Sequence, residues 1–198
     1  MLLNEAFRQS MEHYRQHYNT QDDLPNQWAG HTFEQCTFQK LNLSQVFLAG
    51  ANFIDCRFEQ CTLSRAIVKN TQFNDVSFAD CVLQGVDFGS CNTFGFHVDF
   101  QTCQLDQSLF VGRRLVKAKF VECSLKSVLF VRCDMTSVLF DRCDLELAKF
   151  DDNNLTQADF TTSFNIALDP DENRLKKAKF SLYSLPGLLT KYGLSIRE

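Results

Sequence analysis

The apolar positions of this chain repeat every five residues. In VLFVRCDMTSVLFDRCDLELAKF, residues 128–150, a large apolar side chain occupies every fifth position from Phe130 to Phe150. Two residues before each of these central positions lies a small slot, as at Val128 and Cys133. The period is neither the 3.6 residues of an amphipathic helix nor the two of a half-buried strand.

The pattern extends over most of the chain. Every fifth residue is apolar from Phe33 to Phe88 and again from Phe100 to Phe160, which makes 25 central positions. Between the two blocks, Thr93 occupies a central position and two additional residues enter near Phe94 to His97. This insertion is either a contact loop or a kink.

Five residues can form one side of a square, with the central and small positions inward. Four sides close a coil of about 20 residues, and successive coils can pair like parallel strands, as in β-helices. At about 4.8 Å per coil, residues 31–160 predict about 6.5 coils and a rod about 31 Å long. Proline is absent between Pro25 and Pro170, as an uninterrupted ladder requires. The sequence therefore predicts an all-β fold.

All nine cysteines occupy the small slot, where a free thiol acts as a small apolar group. No CxxC spacing is present, so we expect no metal site and no cofactor. Cys103, Cys123 and Cys143 are 20 residues apart and are expected to stack within disulfide range. A cytoplasmic location favours reduced thiols.

The N-terminal segment, residues 1–30, is expected to cap the rod. Five apolar residues at helical spacing predict a helix near residues 3–18: Leu3, Phe7, Met11, Tyr14 and Tyr18. His13 and His17 are four residues apart, and we interpret them as a solvated helix face because no third metal ligand is evident. The first ten residues lack a basic and an apolar region, so no signal peptide is expected.

The repeat is expected to span residues 31–180, with phase blocks at 31–92 and 98–180, and a C-terminal helix and tail to follow at 181–198. Ser184 can cap that helix, Pro186 suits its first turn, and Gly193 can end it. Its apolar face either caps the rod or forms a two-fold dimer interface. The residues of this candidate interface are Leu185, Leu188, Leu189, Tyr192, Leu194 and Ile196.

The segments ANFIDCRFEQC, ADCVLQGVDF and LELAKFDDNNLTQADF resemble the A(D/N)Lxx repeats of pentapeptide-repeat proteins. The resemblance implies a right-handed quadrilateral parallel β-helix. The tail ALDPDENRLKKAKFSLYSLPGLLTKYGLSI and the stretch SLFVGRRLVKAKFVEC are similar to members that protect DNA gyrase from fluoroquinolones or albicidin. That similarity implies a homodimer through the C-terminal helix, and a rod that imitates duplex DNA and binds type II topoisomerase.

A DNA mimic needs a negatively charged surface that is complementary to a basic DNA-binding groove. Two stretches are rich in acids, and twelve residues are candidate topoisomerase contacts: Asp75, Asp80, Asp87, Asp99, Asp106, Asp134, Asp141, Asp144, Glu146, Asp151, Asp152 and Asp159. A basic girdle between the stretches argues against strict mimicry: Arg113, Arg114, Lys117, Lys119 and Lys126. The other interpretation is a rod with ordinary mixed surface charge.

Arg113 occupies a small slot, where an unpaired guanidinium cannot be accommodated. We therefore expect a bulge at VGRRL that turns Arg113 and Arg114 outward. No long loop projects from the repeat, which is a departure from many of the quinolone-protecting members.

Six apolar residues fall in outward positions on two sides that we expect to adjoin, where they would form an exposed apolar strip: Leu109, Val111, Val121, Leu129, Val131 and Leu139. Either the N-terminal helix covers the strip or a partner does.

Enzymatic activity is not expected. The chain has four His, no glycine-rich phosphate loop and no nucleophile elbow. A net charge of −4 argues against direct binding of nucleic acid, and no 18-residue apolar run predicts a membrane span. Two hypotheses remain: a DNA-mimicking, topoisomerase-binding rod in the cytoplasm, and a non-catalytic scaffold with an unrelated protein partner.

Overall fold

Along residues 11–194, the part that this computed structural model describes, the chain forms fourteen strands of two to four residues. In chain order they are β1 (Glu12–Tyr14), β2 (His17–Tyr18), β3 (Thr32–Glu34), β4 (Thr37–Gln39), β5 (Asn52–Ile54), β6 (Arg57–Glu59), β7 (Gln72–Asn74), β8 (Val76–Ala79), β9 (Val98–Gln101), β10 (Leu109–Val111), β11 (Lys119–Val121), β12 (Leu129–Val131), β13 (Leu139–Asp141) and β14 (Lys149–Asp151).

Every strand pairs in parallel with the strand one coil away. Phe33 lies opposite Phe53, and Phe53 lies opposite Phe73, so a coil has 20 residues. Between β8 and β9 the partners are Phe78 and Phe100, so this coil has 22 residues. The result is a parallel β-helix of about seven coils, which confirms the predicted fold class.

The coil has four sides, which we name A, B, C and D by the central residues Phe33, Phe38, Leu43 and Leu48. The sheet β1-β3-β5-β7 forms side A, and β13-β11-β9-β8-β6-β4-β2 forms side B. The sheet β10-β12-β14 lies on side D, and isolated bridges such as the one from Asn42 to Thr62 join the coils on side C. Central residues ten apart in the chain therefore lie on opposite sides.

The central side chains fill the interior. All 25 predicted central residues are at most 3% exposed. On side B, aromatic rings stack from Tyr18 to Phe180, with 4.6–5.3 Å between neighbouring centroids. Burial of one such ring contributes about 1.5–3 kcal/mol, and the column repeats this contribution in each coil.

The chain turns between sides through residues in the left-handed region. Gln107, Gly112 and Lys117 have φ values of 62°, 63° and 61°. Most of the described corner N–H groups donate to a carbonyl of the next coil, as Gln107 N does to Lys126 O at 2.9 Å, whereas Arg142 N donates to Thr162 Oγ1 at 2.9 Å. These ladder hydrogen bonds offset the steric cost of the left-handed conformation in residues other than glycine.

The predicted N-terminal helix is wrong for residues 11–18, whereas residues 3–10 lie outside the described part of the chain. β1 pairs with β3 and β2 pairs with β4, so this segment begins the ladder. His13 lies opposite Phe33 and Tyr18 opposite Phe38, which makes both of them central residues. The five-residue interval from His13 to Tyr18 was the signal for this arrangement.

The C-terminal segment forms a short helix, α1 (Leu185–Leu188), followed by a 3-10 turn at Thr190–Tyr192. Gly193, with φ 60°, ends this turn and not the helix as predicted, because the helix already ends at Leu188. Ser184 precedes the helix but does not cap it, because its hydroxyl contacts the Ser181 hydroxyl at 2.9 Å. α1 packs closely against the last coil: a Cβ added to Gly187 would lie 1.7 Å from Ile166 O.

Candidate protein-binding surfaces

Within residues 11–194, stacked rings and aliphatic side chains fill the interior of the coils. Within residues 11–194 no group of three or more His, Cys, Asp or Glu is arranged to hold a metal ion. His13 and His17 do not share a helix face: His13 Nε2 contacts His31 Nδ1 at 2.8 Å, and His17 is exposed. Over the same residues no helix is long and apolar enough to cross a membrane.

The cysteines are buried and free, and five of them form one column on side C: Cys61, Cys81, Cys103, Cys123 and Cys143. Their thiols donate hydrogen bonds and also occupy space in the core. Cys61 Sγ contacts Phe38 O at 3.3 Å, and Cys143 Sγ contacts Phe120 O at 3.2 Å. Burial raises the pKa of the Cys91 and Cys133 thiols, which keeps them protonated and able to donate.

The twelve candidate acids lie on all four sides of the rod and do not form one row. Asp134 is on side A; Asp99, Asp141 and Asp159 on side B; Asp106, Asp144 and Glu146 on side C; Asp87 and Asp151 on side D; and Asp75, Asp80 and Asp152 at corners.

Basic side chains neutralise several of these acids. Lys126 Nζ lies 3.0 Å from Asp144 Oδ2 and 2.9 Å from Glu146 Oε2. These hydrogen bonds raise the pKa of Lys126. Other pairs are Arg142 with Asp141 and Lys179 with Asp159. His97 Nδ1 lies 3.1 Å from Asp75 Oδ1. Among the described residues, four candidate acids have no side-chain hydrogen bond or ion pair: Asp80, Asp87, Asp151 and Asp152.

The expected bulge at VGRRL is wrong. β10 and β12 pair in register, Gly112 is an ordinary corner, and Arg114 pairs with Asp134 in the ladder. Arg113 points inward and is 7% exposed. The interior accommodates it because the 22-residue coil above has an irregular segment, whose carbonyls accept its hydrogen bonds.

Arg113 holds the inserted loop, residues 92–97. Its Nη1 donates to Cys91 O at 3.0 Å and to Asn92 O at 3.5 Å, and its Nε donates to Val111 O at 3.2 Å. The guanidinium also lies 5.5 Å from the centroid of the buried Phe96 ring. Phe94, at the tip of this loop, is 76% exposed. The insertion is therefore a fixed loop that presents an aromatic ring to solvent.

The six residues of the apolar strip do not form one surface. Leu109, Leu129, Val111 and Val131 form a half-buried patch on side D, in which each residue lies opposite its counterpart in the next coil. Val121 and Leu139 belong to β11 and β13 on side B, which is opposite and not adjoining. The ten-residue interval between Phe110 and Phe120 corresponds to two sides of the coil, so the sequence already indicated that these strands lie on opposite sides.

Two apolar residues of side D were missed. Phe47 and Ile67 pair with each other in the ladder and are 59% and 46% exposed. They lie in the same outward column as Leu109 and Leu129, just before a central residue. Residues 11–18 belong to the first coil, so this part of the N-terminal segment does not cover the patch.

The candidate dimer residues divide into two groups. Leu188 packs against the core and Leu189 is half-buried. Leu185, Tyr192 and Leu194 are 44%, 58% and 59% exposed, and Ile196 lies outside the described residues. Sequence reasoning missed the two most exposed members of this surface, Leu182 at 82% and Tyr183 at 93%, because their spacing matches no helix face.

Comparison with protein families gives two matches. A model described as a pentapeptide repeat region matches residues 31–110, and a model of eight pentapeptide repeats matches residues 129–163. Together they match more than half of the chain. The comparison with curated proteins finds no match.

Solved structures with similarity to this chain include QnrB1, described as a plasmid-mediated fluoroquinolone resistance protein. A trypsin-treated QnrB1 variant aligns with a TM-score of 0.43 and 20% identity, over 94% of this chain and all of that one. HetL, from the cyanobacterium Nostoc and involved in regulating heterocyst differentiation, aligns with a TM-score of 0.25 and 13% identity, over 91% of this chain and 93% of that one. At these values the similarities carry no argument about function.

Proposed function

Since this chain belongs to the pentapeptide-repeat family, we propose that it is a non-enzymatic rod that binds a type II topoisomerase, DNA gyrase, and protects it from a quinolone-type or albicidin-type poison. The observation that supports a binding role most directly is the fixed loop at residues 92–97. A buried arginine holds this loop, and its exposed tip is aromatic. Exposed aromatic residues on rigid supports are frequent anchors of protein interfaces.

The choice of gyrase rests on the resemblance of the C-terminal tail to gyrase-protecting members, together with the rod shape. A single row of negative charge is not part of the proposal, because the acids lie on every side. The proposed contacts are the unpaired acids, with Asp151 and Asp152 as the closest adjacent pair. A cytoplasmic site of action and a dimer formed through the C-terminal end belong to the same proposal.

The test is a gyrase supercoiling assay titrated with the purified protein, with and without a fluoroquinolone and albicidin. Rescue of drug-inhibited supercoiling, at protein concentrations that leave drug-free gyrase active, is the expected result. Inhibition without rescue would support competition with DNA and contradict protection. Absence of any effect would contradict topoisomerase binding.

Two variants locate the contact in the same assay. Phe94→Ala removes the exposed ring, and the double variant Asp151→Asn with Asp152→Asn removes two unpaired charges; each is expected to weaken the rescue. The matched control is Asp22→Asn with Asp55→Asn, two exposed acids outside the candidate set. Equal rescue by all variants would contradict the assignment of these contacts.

The alternative is a scaffold with an unrelated protein partner, and the apolar surface of side D favours it. Phe47 and Ile67 are exposed there, and Leu109, Leu129, Val111 and Val131 are half-buried on the same side. If gyrase is unaffected, this surface is where the partner binds. Replacement of Phe47 and Ile67 with Ser is then expected to abolish partner binding without unfolding the rod.

A further inference from the structure

A basic heptapeptide occurs twice in the chain. Residues 114–120 read RLVKAKF and residues 174–180 read RLKKAKF, so the two copies are 60 residues apart. This interval equals three coils of 20 residues, which places each residue of the second copy directly in line with its counterpart in the first.

The ladder brings both copies to the edge between sides A and B. Backbone bridges between neighbouring coils join Arg114 to Asp134, Asp134 to Asn154, and Asn154 to Arg174. Lys119, Leu139, Asp159 and Lys179 follow one another in the next column. The corner column holds Lys117, Ser137, Gln157 and Lys177, all with positive φ. The basic residues of each copy form what we call a rung: Arg114, Lys117 and Lys119 in the first, and Arg174, Lys176, Lys177 and Lys179 in the second. The two rungs lie three coils, about 14 Å, apart on one edge.

Most of these basic groups are available to a partner. Within residues 11–194, no ion pair involves the side chains of Arg114, Lys117, Lys119, Arg174, Lys176 and Lys177, and all six residues are exposed. Lys179 pairs with Asp159. The other acid between the rungs, Asp134, accepts hydrogen bonds from Thr136 Oγ1 at 2.7 Å and Asn154 Nδ2 at 3.1 Å. The edge is positive although the chain has a net charge of −4.

A shallow groove of about 500 Å³ lies between the rungs. Its lining residues are Ser137, Val138, Leu139, Gln157, Asp159, Lys177 and Lys179. Leu139 is half-buried and apolar, and Ser137 and Gln157 offer neutral hydrogen-bonding groups. The groove thus combines an apolar surface with the C-terminal basic rung in its lining, and the N-terminal rung begins one coil from Leu139, at Lys119.

We propose that this edge binds an extended acidic peptide segment of a partner protein, in which two anionic clusters flank an apolar residue. An extended chain advances about 3.4 Å per residue, so clusters about four residues apart would span the two rungs. The apolar residue between them would contact Leu139. The proposal does not rest on the gyrase-binding role, whose proposed contacts are Phe94, Asp151 and Asp152.

Nucleic acid fits this edge less well. Duplex DNA carries a charge about every 1.7 Å along its axis, whereas the positive charges here fall into two groups separated by Ser137, Gln157 and Asp159. A polyanion on the axis of the rod would also meet Asp55 and Asp75 at the same corner, nearer the N-terminus. A short segment with spaced charges avoids both conflicts.

The test is fluorescence anisotropy at low ionic strength with a labelled peptide in which two Glu-Glu pairs flank a Ser-Leu spacer. A second peptide has the same composition with four contiguous Glu, and a third probe is a short DNA duplex. Binding of the spaced peptide in preference to both other probes is the expected result. Preference for the duplex, equal binding of the two peptides, or no binding would overturn the proposal.

Charge reversal locates the site. The variant Lys117→Glu with Lys177→Glu changes both rungs at positions of positive φ, a conformation that Glu122 adopts at another corner. We expect its affinity for the spaced peptide to fall about ten-fold, and each single variant to lose less. The control is Lys69→Glu with Lys149→Glu, which makes the same change in net charge at exposed positions of side D. An equal loss in the control, with both variants folded by circular dichroism, would contradict a specific edge site.

Discussion

At the scale of single residues, the polar occupants of the small slot form hydrogen bonds. Cys56 Sγ contacts Phe33 O at 3.2 Å, Ser163 Oγ donates to Phe140 O at 2.8 Å, and Asn153 Nδ2 donates to Phe130 O at 2.9 Å. In each case the acceptor is the carbonyl of a central residue one coil and one side earlier. Thiols, hydroxyls and amides can therefore all occupy this slot, because each of them donates to a buried carbonyl there.

Arg113 is the largest side chain in any small slot, and its removal is expected to loosen the loop at residues 92–97. Arg113→Ala deletes three donor contacts to carbonyls and leaves a void, so the free energy of unfolding should fall by about 1–3 kcal/mol. Urea denaturation measures this change, and hydrogen exchange of residues 92–97 should accelerate. Arg114→Ala, at an exposed position, is the control with little expected effect. Equal stability of the two variants would contradict the anchoring role.

The N-terminal coil contains a histidine pair that should make it sensitive to acid. His13 Nε2 contacts His31 Nδ1 at 2.8 Å, and His13 Nδ1 contacts the Tyr18 hydroxyl at 2.7 Å. Burial lowers the pKa of His13, assisted by the charge of His31, and burial also lowers the pKa of His31. Burial raises the pKa of Tyr18 to about 12, so its hydroxyl remains a donor.

Because the folded state disfavours protonated His13 and His31, their contribution to stability is complete above the unfolded pKa, about 6.5. It is lost as the pH falls from that value towards the lower folded pKa. Thermal unfolding should therefore show a larger decrease in Tm between about pH 7.5 and 5 for the wild type than for the double variant His13→Gln with His31→Gln. The same decrease in both proteins would exclude the pair as its cause.

At the scale of elements, each side of a coil is too short to be stable alone, and stability arises from stacking against its neighbours. On sides B, A and D, this stacking takes the form of columns of aromatic rings. Side A carries Phe33, Phe53 and Phe73 before the 22-residue coil, whereas side D carries aromatic rings from Phe88 onwards. Continuous stacks on at least two sides are maintained through the irregular coil.

The C-terminal helix depends on a glycine for its close contact with the last coil. In Gly187→Ala the added methyl group would meet Ile166 O at 1.7 Å, so α1 must move away. We expect hydrogen-exchange protection to fall in residues 185–192 while the central coils keep theirs. Gly112→Asn is the control, since no atom lies within 4 Å of its Cβ position and asparagine tolerates positive φ. Unchanged protection in Gly187→Ala would show that α1 does not depend on this contact.

At the scale of the whole molecule, apolar side chains are exposed at the C-terminal end of the described rod. Leu182, Tyr183, Leu185, Tyr192 and Leu194 are exposed there, next to the half-buried Leu188 and Leu189. Exposed apolar groups concentrated at one place usually mark an interface. The proposed dimer would bury these residues between two copies and join two rods end to end.

The dimer can be tested by size-exclusion chromatography with light scattering. The wild type is expected at twice the 22.8 kDa of one chain, and the double variant Leu182→Asp with Tyr183→Asp is expected as a monomer, because carboxylates would be buried without partners. Ile67→Asp is the control, since Ile67 is 46% exposed on side D, several coils away from this end. A monomeric wild type at all concentrations would contradict the proposed dimer.

The sequence by itself determined the coil, its interior and the use of its cysteines. A five-residue period with an apolar central residue has one simple solution, a four-sided coil, because the period is local and repeats without interruption. Counting in steps of five residues also predicts that Phe110 and Phe120 lie on opposite sides of the coil. The same counting predicts that the two RLxKAKF copies are aligned. The five-residue period also includes His13 and Tyr18, although the apolar spacing of that segment fits a helix as well.

Only the tertiary structure decided what happens where the period fails. The inward position of Arg113 depends on carbonyls of Cys91 and Asn92, which are more than 20 residues away and are aimed by an irregular coil. The pairing of Lys126 with Asp144 and Glu146 likewise depends on side-chain reach between coils. Such contacts join residues that are distant in the chain, so charge and volume along the sequence do not specify them.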